Sequence, residues 1–164
     1  GEQVSSYNKV HLFDVNLTET NEKYSESDIY LNGNSITVID TPFCKIGLAI
    51  CYDLRFPELF RKLSNEDVDV ICMPAAFTSV TGKAHWKHLI KARAIENLVY
   101  FAASAQGGYH VSGRETFGHS MIVNPWGETL DIIKNNSGVI TSSIDLNALN
   151  KLRKNFPCLS HKKF

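Results

Sequence analysis

In GLAICYDLRFPEL, residues 47–59, an apolar run reaches Cys51 and passes at once into Tyr52, Asp53 and Arg55. A thiol in that position is a candidate nucleophile, but only as the thiolate, which needs a positive charge or a base close by. Lys9 in YNKVHLFDV, residues 7–15, is the only lysine or arginine of a segment that otherwise reads as a strand, and is the candidate for that charge. An isolated lysine more often just carries its ammonium to solvent. His11 lies two residues on, so on a strand it shares the face of Lys9 and is the candidate base of a Cys–His pair. His110 and His119 are further imidazoles for such a pair, if either reaches the sulfur. Arg55 suits a substrate carboxylate through two parallel hydrogen bonds, or an internal ion pair with Glu58 or Asp53. Phe77, Thr78 and Thr81 in AAFTSVTGKAHW are the other candidate pocket groups.

The elements that must hold these residues follow from periodicity. Short β-branched or aromatic runs at 35–40, 45–50, 68–74, 98–104, 119–124 and 138–145 predict strands. FPELFRKLSNE (56–66), with Pro57 near its first turn, and GKAHWKHLIKARAIEN (82–97), with Trp86, Leu89, Ala92 and Ile95 near helical spacing, predict helices. NPWGE (124–128) predicts a hairpin turn, and residues 14–27 a polar loop. The basic stretch 150–164 reads as a surface or interface arm. Alternating strands and helices predict an α/β layered domain spanning 1–164, with reactive groups where strands end. Cys51 falls at such an exit, on a strand-to-helix elbow that exposes a side chain and aims backbone N–H groups at what it attacks.

Composition narrows the function classes. Lysine plus arginine and aspartate plus glutamate both total 17, so the formal charge is zero and no broad basic face points to nucleic acid or to an anionic membrane. The expected substrate is therefore a small molecule. No apolar run approaches the roughly 18 residues of a membrane span, and GEQVSSYNK has no apolar secretion core, which predicts a cytoplasmic protein. The four cysteines, Cys44, Cys51, Cys72 and Cys158, lack the spacing of a zinc site or a redox pair. Cys44 and Cys72 read as space-filling thiols, and Cys158 as part of a polar tail.

YNKVHLFDV and GLAICYDLRFPELF resemble the two later signature motifs of the nitrilase-related carbon–nitrogen hydrolases, and the similarity continues through MPAAFTSVTGKAHWKHLIKARAIEN, SAQGG and GHSMIVNPWGE. Motifs in the family's order make this far more specific than any single match. The resemblance implies an αββα sandwich and a Glu–Lys–Cys site. It implies Cys51 as nucleophile, Lys9 as the cation that stabilises the tetrahedral oxyanion, and the Tyr52 backbone N–H as the second oxyanion donor. A further family carboxylate orients the lysine; Glu19, Glu22 and Glu26 are the candidates, and Glu26 has the best spacing to Cys51.

Family members begin with another strand–helix–strand block that carries the general-base glutamate. No residue here matches that base, Glu2 lying too close to Lys9, so the chain resembles the C-terminal three-fifths of a member. Apolar faces and open edges are expected, and with them association: a homo-oligomer, at least a dimer, or pairing with an N-terminal half. The implied reaction is hydrolysis of a small amide through a Cys51 thioester, with no metal or organic cofactor. FTSVTGKAHW, RAIEN and AQGGYH are more similar to the branch that hydrolyses deaminated glutathione than to the ω-amidase branch, and least to true nitrilases. Outside this class stand a binding module that keeps the fold without catalysis and a thiol hydrolase built on histidine.

Overall fold

The computed structural model describes residues 1–18, 21–134 and 136–163. Its centre is a six-stranded sheet in the order β10-β9-β6-β5-β4-β3. Here β3 is Val38–Asp40, β4 Lys45–Leu48, β5 Val70–Ala75, β6 Tyr100–Ala105, β9 Ser120–Val123 and β10 Thr129–Ile133. β4, β5 and β6 run parallel, with Ile46 opposite Val70 and Ile71 opposite Phe101, and the outer strands pair antiparallel. Parallel neighbours need crossovers, and α1 (Pro57–Asn65) and α2 (Ser79–Asn97) supply them.

Both helices cover one face of the sheet. Strand residues of period two, Ile71 and Met73 on β5 and Phe101 and Ala103 on β6, meet Leu59, Phe60 and Leu63 of α1 and Trp86, Ile90 and Ala94 of α2 in one buried cluster. Pro57 opens α1 at its first position, where a missing N–H costs nothing. The Thr78 side chain accepts from the Thr81 amide and caps α2 three residues before the expected start. The buried stripe of α2 also differs from the expected one. Spacing of four keeps Trp86, Ile90 and Ala94 inward, whereas Leu89 and Ala92 are half-buried and Ile95 is exposed. The opposite face carries Val70 and Tyr100, covered at one end by Leu149 of α3 (Leu146–Asn155), and continues into an apolar cavity of about 400 Å³ lined by Cys72, Pro74, Ala102 and Ile122.

Several expectations are corrected. Residues 7–13 are not a strand; the chain there is irregular, held by side-chain bonds instead of a ladder. The polar stretch 14–27 is a hairpin of β1 (Asp14–Leu17) and β2 (Glu22–Ser25), with Asp14, Asn16 and Lys23 on its exposed face and Val15, Leu17 and Tyr24 half-buried on the other. Glu19 lies outside the described residues. Among the described residues 138–145 form no strand, because nothing pairs with them, and Asp145 instead caps α3, accepting from the Ala148 amide at 2.8 Å. The C-terminal stretch read as an arm begins within α3, which Arg153 fastens to the Val68 and Leu98 carbonyls. NPWGE does turn the chain between β9 and β10, with Gly127 at φ +86°, where a β-carbon is strained. A second ribbon, β7 (Gly107–Tyr109) with β8 (Glu115–Phe117), was not legible in the sequence.

Candidate functional site

The exit of β4 is short. After Leu48 the chain runs through Ala49 and Ile50 and enters a 3₁₀ turn, Cys51–Arg55, that leads into α1. Cys51 takes φ +48°, a left-handed conformation that a non-glycine residue holds only when its surroundings impose it. Asp53 is the main constraint. Its carboxylate, 0% exposed, accepts from the Ile50 amide at 2.8 Å, from the Tyr7 hydroxyl at 2.8 Å and from the His11 amide at 3.1 Å, with His11 Nδ1 at 2.8 Å. One buried acid thus ties the elbow to the residues on either side of Lys9. Arg93 of α2 secures the turn from beneath, its Nε donating to the Leu54 carbonyl at 3.0 Å.

Lys9 turns to Glu26, with which it forms an ion pair; their side chains are 13% and 34% exposed. Glu26 is held in turn by the Phe13 amide at 2.8 Å. Glu22 instead accepts from the Tyr24 hydroxyl at 2.9 Å, so of the two described candidates only Glu26 meets the lysine. Tyr52 lies in the first turn of the 3₁₀ segment, ahead of the first bond it closes (Asp53 N–H to Ile50 carbonyl, 3.0 Å), so its N–H has no partner within the turn.

Burial pushes the Cys51 thiol above the ordinary cysteine value; the Ala76 backbone and then Lys9 pull it down, while Glu26 and Asp53 push it up. This corrects the expectation of a thiol activated by its neighbours. Lys9 favours the thiolate and the carboxylate beside it opposes it, while burial, the largest effect, favours the thiol, so a proton acceptor is needed to make the thiolate.

Two cavities meet at Cys51 and share Phe13 and Ala76. The narrow one, about 10 Å³, is lined by Tyr52, Arg55, Phe77, Thr78 and Thr81; the wide one, about 450 Å³, by Lys9, Glu26, Tyr24, Gln106 and Arg114. Arg55 pairs with neither Asp53 nor Glu58; it lies 5.5 Å from the Phe77 ring centre and 3.3 Å from His85 Nδ1. Phe77 is buried against Trp86, and the Thr78 hydroxyl is already occupied at the start of α2, so both shape the wall more than they offer free polar groups. Among the described residues no imidazole bonds the Cys51 sulfur: His11 goes to Asp53, His110 to Thr116 and His119 to the Phe117 carbonyl. That removes the geometric basis for a Cys–His pair. Sequence reasoning named Asp53 but missed its clamping role, and missed Tyr7 and Arg114. Tyr7 and His11 flank Lys9 at two residues either side, a signal that was available, whereas Arg114 arrives from a ribbon with no local sign of it.

A thiol on a strained strand exit stands beside a lysine–carboxylate pair at the meeting of two cavities, an arrangement open to nucleophilic chemistry. Residues 1–154 match the family Carbon-nitrogen hydrolase, and the chain belongs to it. A protein of Dictyostelium discoideum named deaminated glutathione amidase is 47% identical over 98% of this chain and 55% of its own length. A Yersinia enterocolitica protein of the same name is 42% identical over 100% and 57%. The solved C. elegans NitFhit protein superposes with a TM-score of 0.84 at 40% identity, over 96% of this chain and 38% of that one. The chain therefore has the nitrilase-type α/β fold, and it spans little more than half the length of those curated relatives.

Proposed function

We propose that this chain carries the nucleophile half of an amidase site that cleaves a small amide through a Cys51 thioester. The Lys9–Glu26 pair beside Cys51 is the observation that supports it most directly. A base takes the Cys51 proton, the sulfur bonds to the amide carbonyl carbon, and the oxygen gains negative charge. Lys9 Nζ and the Tyr52 N–H stabilise that oxyanion, with Glu26 orienting Lys9. The C–N bond then breaks, the amine leaves with a proton, and water hydrolyses the thioester to a carboxylic acid and the free thiol. The base is the glutamate that family resemblance assigns to a preceding block, and the raised thiol of Cys51 supports the need for it. Arg55 is the subsite for a substrate carboxylate, between walls shaped by Phe77 and Thr78. No cofactor takes part.

The relatives' names point to deaminated glutathione as the substrate. The open face of the sheet supports association, with an N-terminal half or with another copy. Free cysteines at all four positions, and the lack among the described residues of any helix long and apolar enough to cross a membrane, support a cytoplasmic setting.

The test is turnover of deaminated glutathione and α-keto amides, with iodoacetamide labelling of Cys51 at pH 7, on this chain with and without a separately supplied N-terminal block. Turnover only with the block, faster labelling in its presence and loss of both with Cys51→Ser support the reading. No turnover and unchanged slow labelling in both conditions overturn it and leave a fold kept for binding.

A further inference from the structure

Residues 7–13 carry Lys9 without a strand ladder, and the Asp53 carboxylate holds them through Tyr7 and His11, on either side of the lysine. The carbonyl of Lys9 itself has a different partner: the Gly33 amide donates to it at 2.8 Å. Gly33 lies in a strap, residues 26–37, that follows the hairpin of β1 and β2 and leads into β3. By its backbone the strap touches every part of the site. At its start the Glu26 carbonyl accepts from the Ile29 amide at 3.0 Å and the Tyr30 amide at 2.9 Å, fixing the turn that carries the Glu26 side chain. At its end the Thr37 carbonyl accepts at 3.1 Å from the Leu48 amide, on the strand that runs out into Cys51. The Thr37 hydroxyl also donates to the Ser6 carbonyl at 3.1 Å, just ahead of the lysine segment.

The fit at Gly33 leaves no room for a side chain. A β-carbon there would overlap the Asn8 carbonyl oxygen and stand 2.9 Å from the Asn8 carbonyl carbon, inside the roughly 3.5–4.0 Å of ordinary carbon contact. Both atoms belong to the planar peptide that joins Asn8 to Lys9, so no rotamer change relieves the overlap and the backbone of one segment must move. Where Lys9 stands has chemical weight. Its ammonium pairs with Glu26, and its charge is felt at the Cys51 sulfur against those of Glu26 and Asp53, an effect that falls with distance.

We propose that Gly33 is a positioning residue for Lys9: by letting the strap lie directly on the peptide between Asn8 and Lys9, and by donating to the Lys9 carbonyl, it sets where the lysine stands relative to Glu26 and Cys51. It touches neither the sulfur nor the cleft and acts through the lysine alone. The proposal rests on the amidase reading above, in which Lys9 is the cation at Cys51, and adds the group that places it.

The experiment is a double-mutant cycle of Gly33→Ala and Lys9→Met on the chain described. Its readout is the rate of Cys51 alkylation by iodoacetamide as a function of pH, followed by mass spectrometry of the Cys51 peptide. Gly33→Ala should slow alkylation at pH 7 by about threefold or more and move the midpoint of the pH profile upward, in the direction of Lys9→Met. In the Lys9→Met background the same substitution should change neither, because no charge is left to misplace. Thr37→Val, which removes only the hydroxyl bond to the Ser6 carbonyl, should slow alkylation by a smaller factor and again only while Lys9 is present. It carries the test if circular dichroism finds Gly33→Ala unfolded. Equal slowing with and without Lys9, or a profile that a folded Gly33→Ala leaves unchanged, overturns the positioning role and leaves the amidase reading standing. A profile that Lys9→Met itself leaves unchanged sinks both.

Discussion

Two carboxylates flank Cys51, and they stand in opposite surroundings. Asp53 is fully buried and accepts from the Tyr7 hydroxyl and the backbone of Ile50 and His11, with the His11 ring as a further partner. Glu26 is a third exposed and meets one cation and one backbone amide. A buried charge surrounded by fixed donors cannot leave without stranding all of them, so it acts as a clamp. A partly exposed carboxylate on a lysine contributes little to stability and can instead tune the charge at the sulfur. The same side-chain chemistry thus serves architecture on one side of the thiol and reactivity on the other.

Replacing the clamp is the harshest way to break this contrast. Asp53→Ala should lower the unfolding free energy by about 3–5 kcal/mol in urea titrations followed by circular dichroism. A loss below about 1 kcal/mol would show that the segment around Lys9 is held by something else.

Next in size is the reactivity of the thiol. Lys9 lowers the thiol's affinity for its proton and Glu26 raises it, so Lys9→Met should slow alkylation of Cys51 at pH 7 and Glu26→Gln should speed it. Below the titration point, weakening the hold on the proton by about 1.4 kcal/mol raises the thiolate population roughly tenfold. If both substitutions move the rate in one direction, the pair does not set the charge at the sulfur.

Tyr7→Phe sharpens the clamp side, with an expected loss of about 1 kcal/mol for its bond to Asp53. Burial first, and then the charge of Asp53, hold the Tyr7 hydroxyl above the ordinary tyrosine value. A group raised on folding stabilises fully below its unfolded value and loses that contribution as pH climbs through its folded one. The parent chain should therefore weaken above about pH 10, and the phenylalanine variant should show a shallower decline there. Smallest of all is the stability effect of Glu26→Gln, within about 1 kcal/mol by the same urea titration. A loss as large as that of Asp53→Ala would erase the distinction between the two acids.

Most of the central sheet was legible because its strands are short apolar runs and α1 has an amphipathic stripe, whereas α2 buries Gly82, Arg93 and Asn97 beside its apolar residues and so hid its inward face. Hairpins of polar residues leave no such mark: β1, β2, β7 and β8 exist by pairing, and 138–145 shows the converse, a β-branched run left without a partner. The candidate site divides the same way. Cys51, Lys9, Tyr52 and Glu26 could be named from motif and spacing, and the structure brings Lys9 and Glu26 together at the Cys51 cleft. Asp53 was visible in the sequence as a neighbour of Cys51 but not as the residue that anchors Tyr7 and His11, a link across more than forty positions.

By itself the sequence determined which residue types meet the chemistry and which segments alternate between strand and helix, since both are written in side-chain identity and period. The tertiary structure alone decided the charge balance at the thiol, the burial that raises it, and which arginines line the cleft outside the ion pairs of the described residues. Electrostatics depends on distance and on the removal of water, and neither exists until the chain has folded.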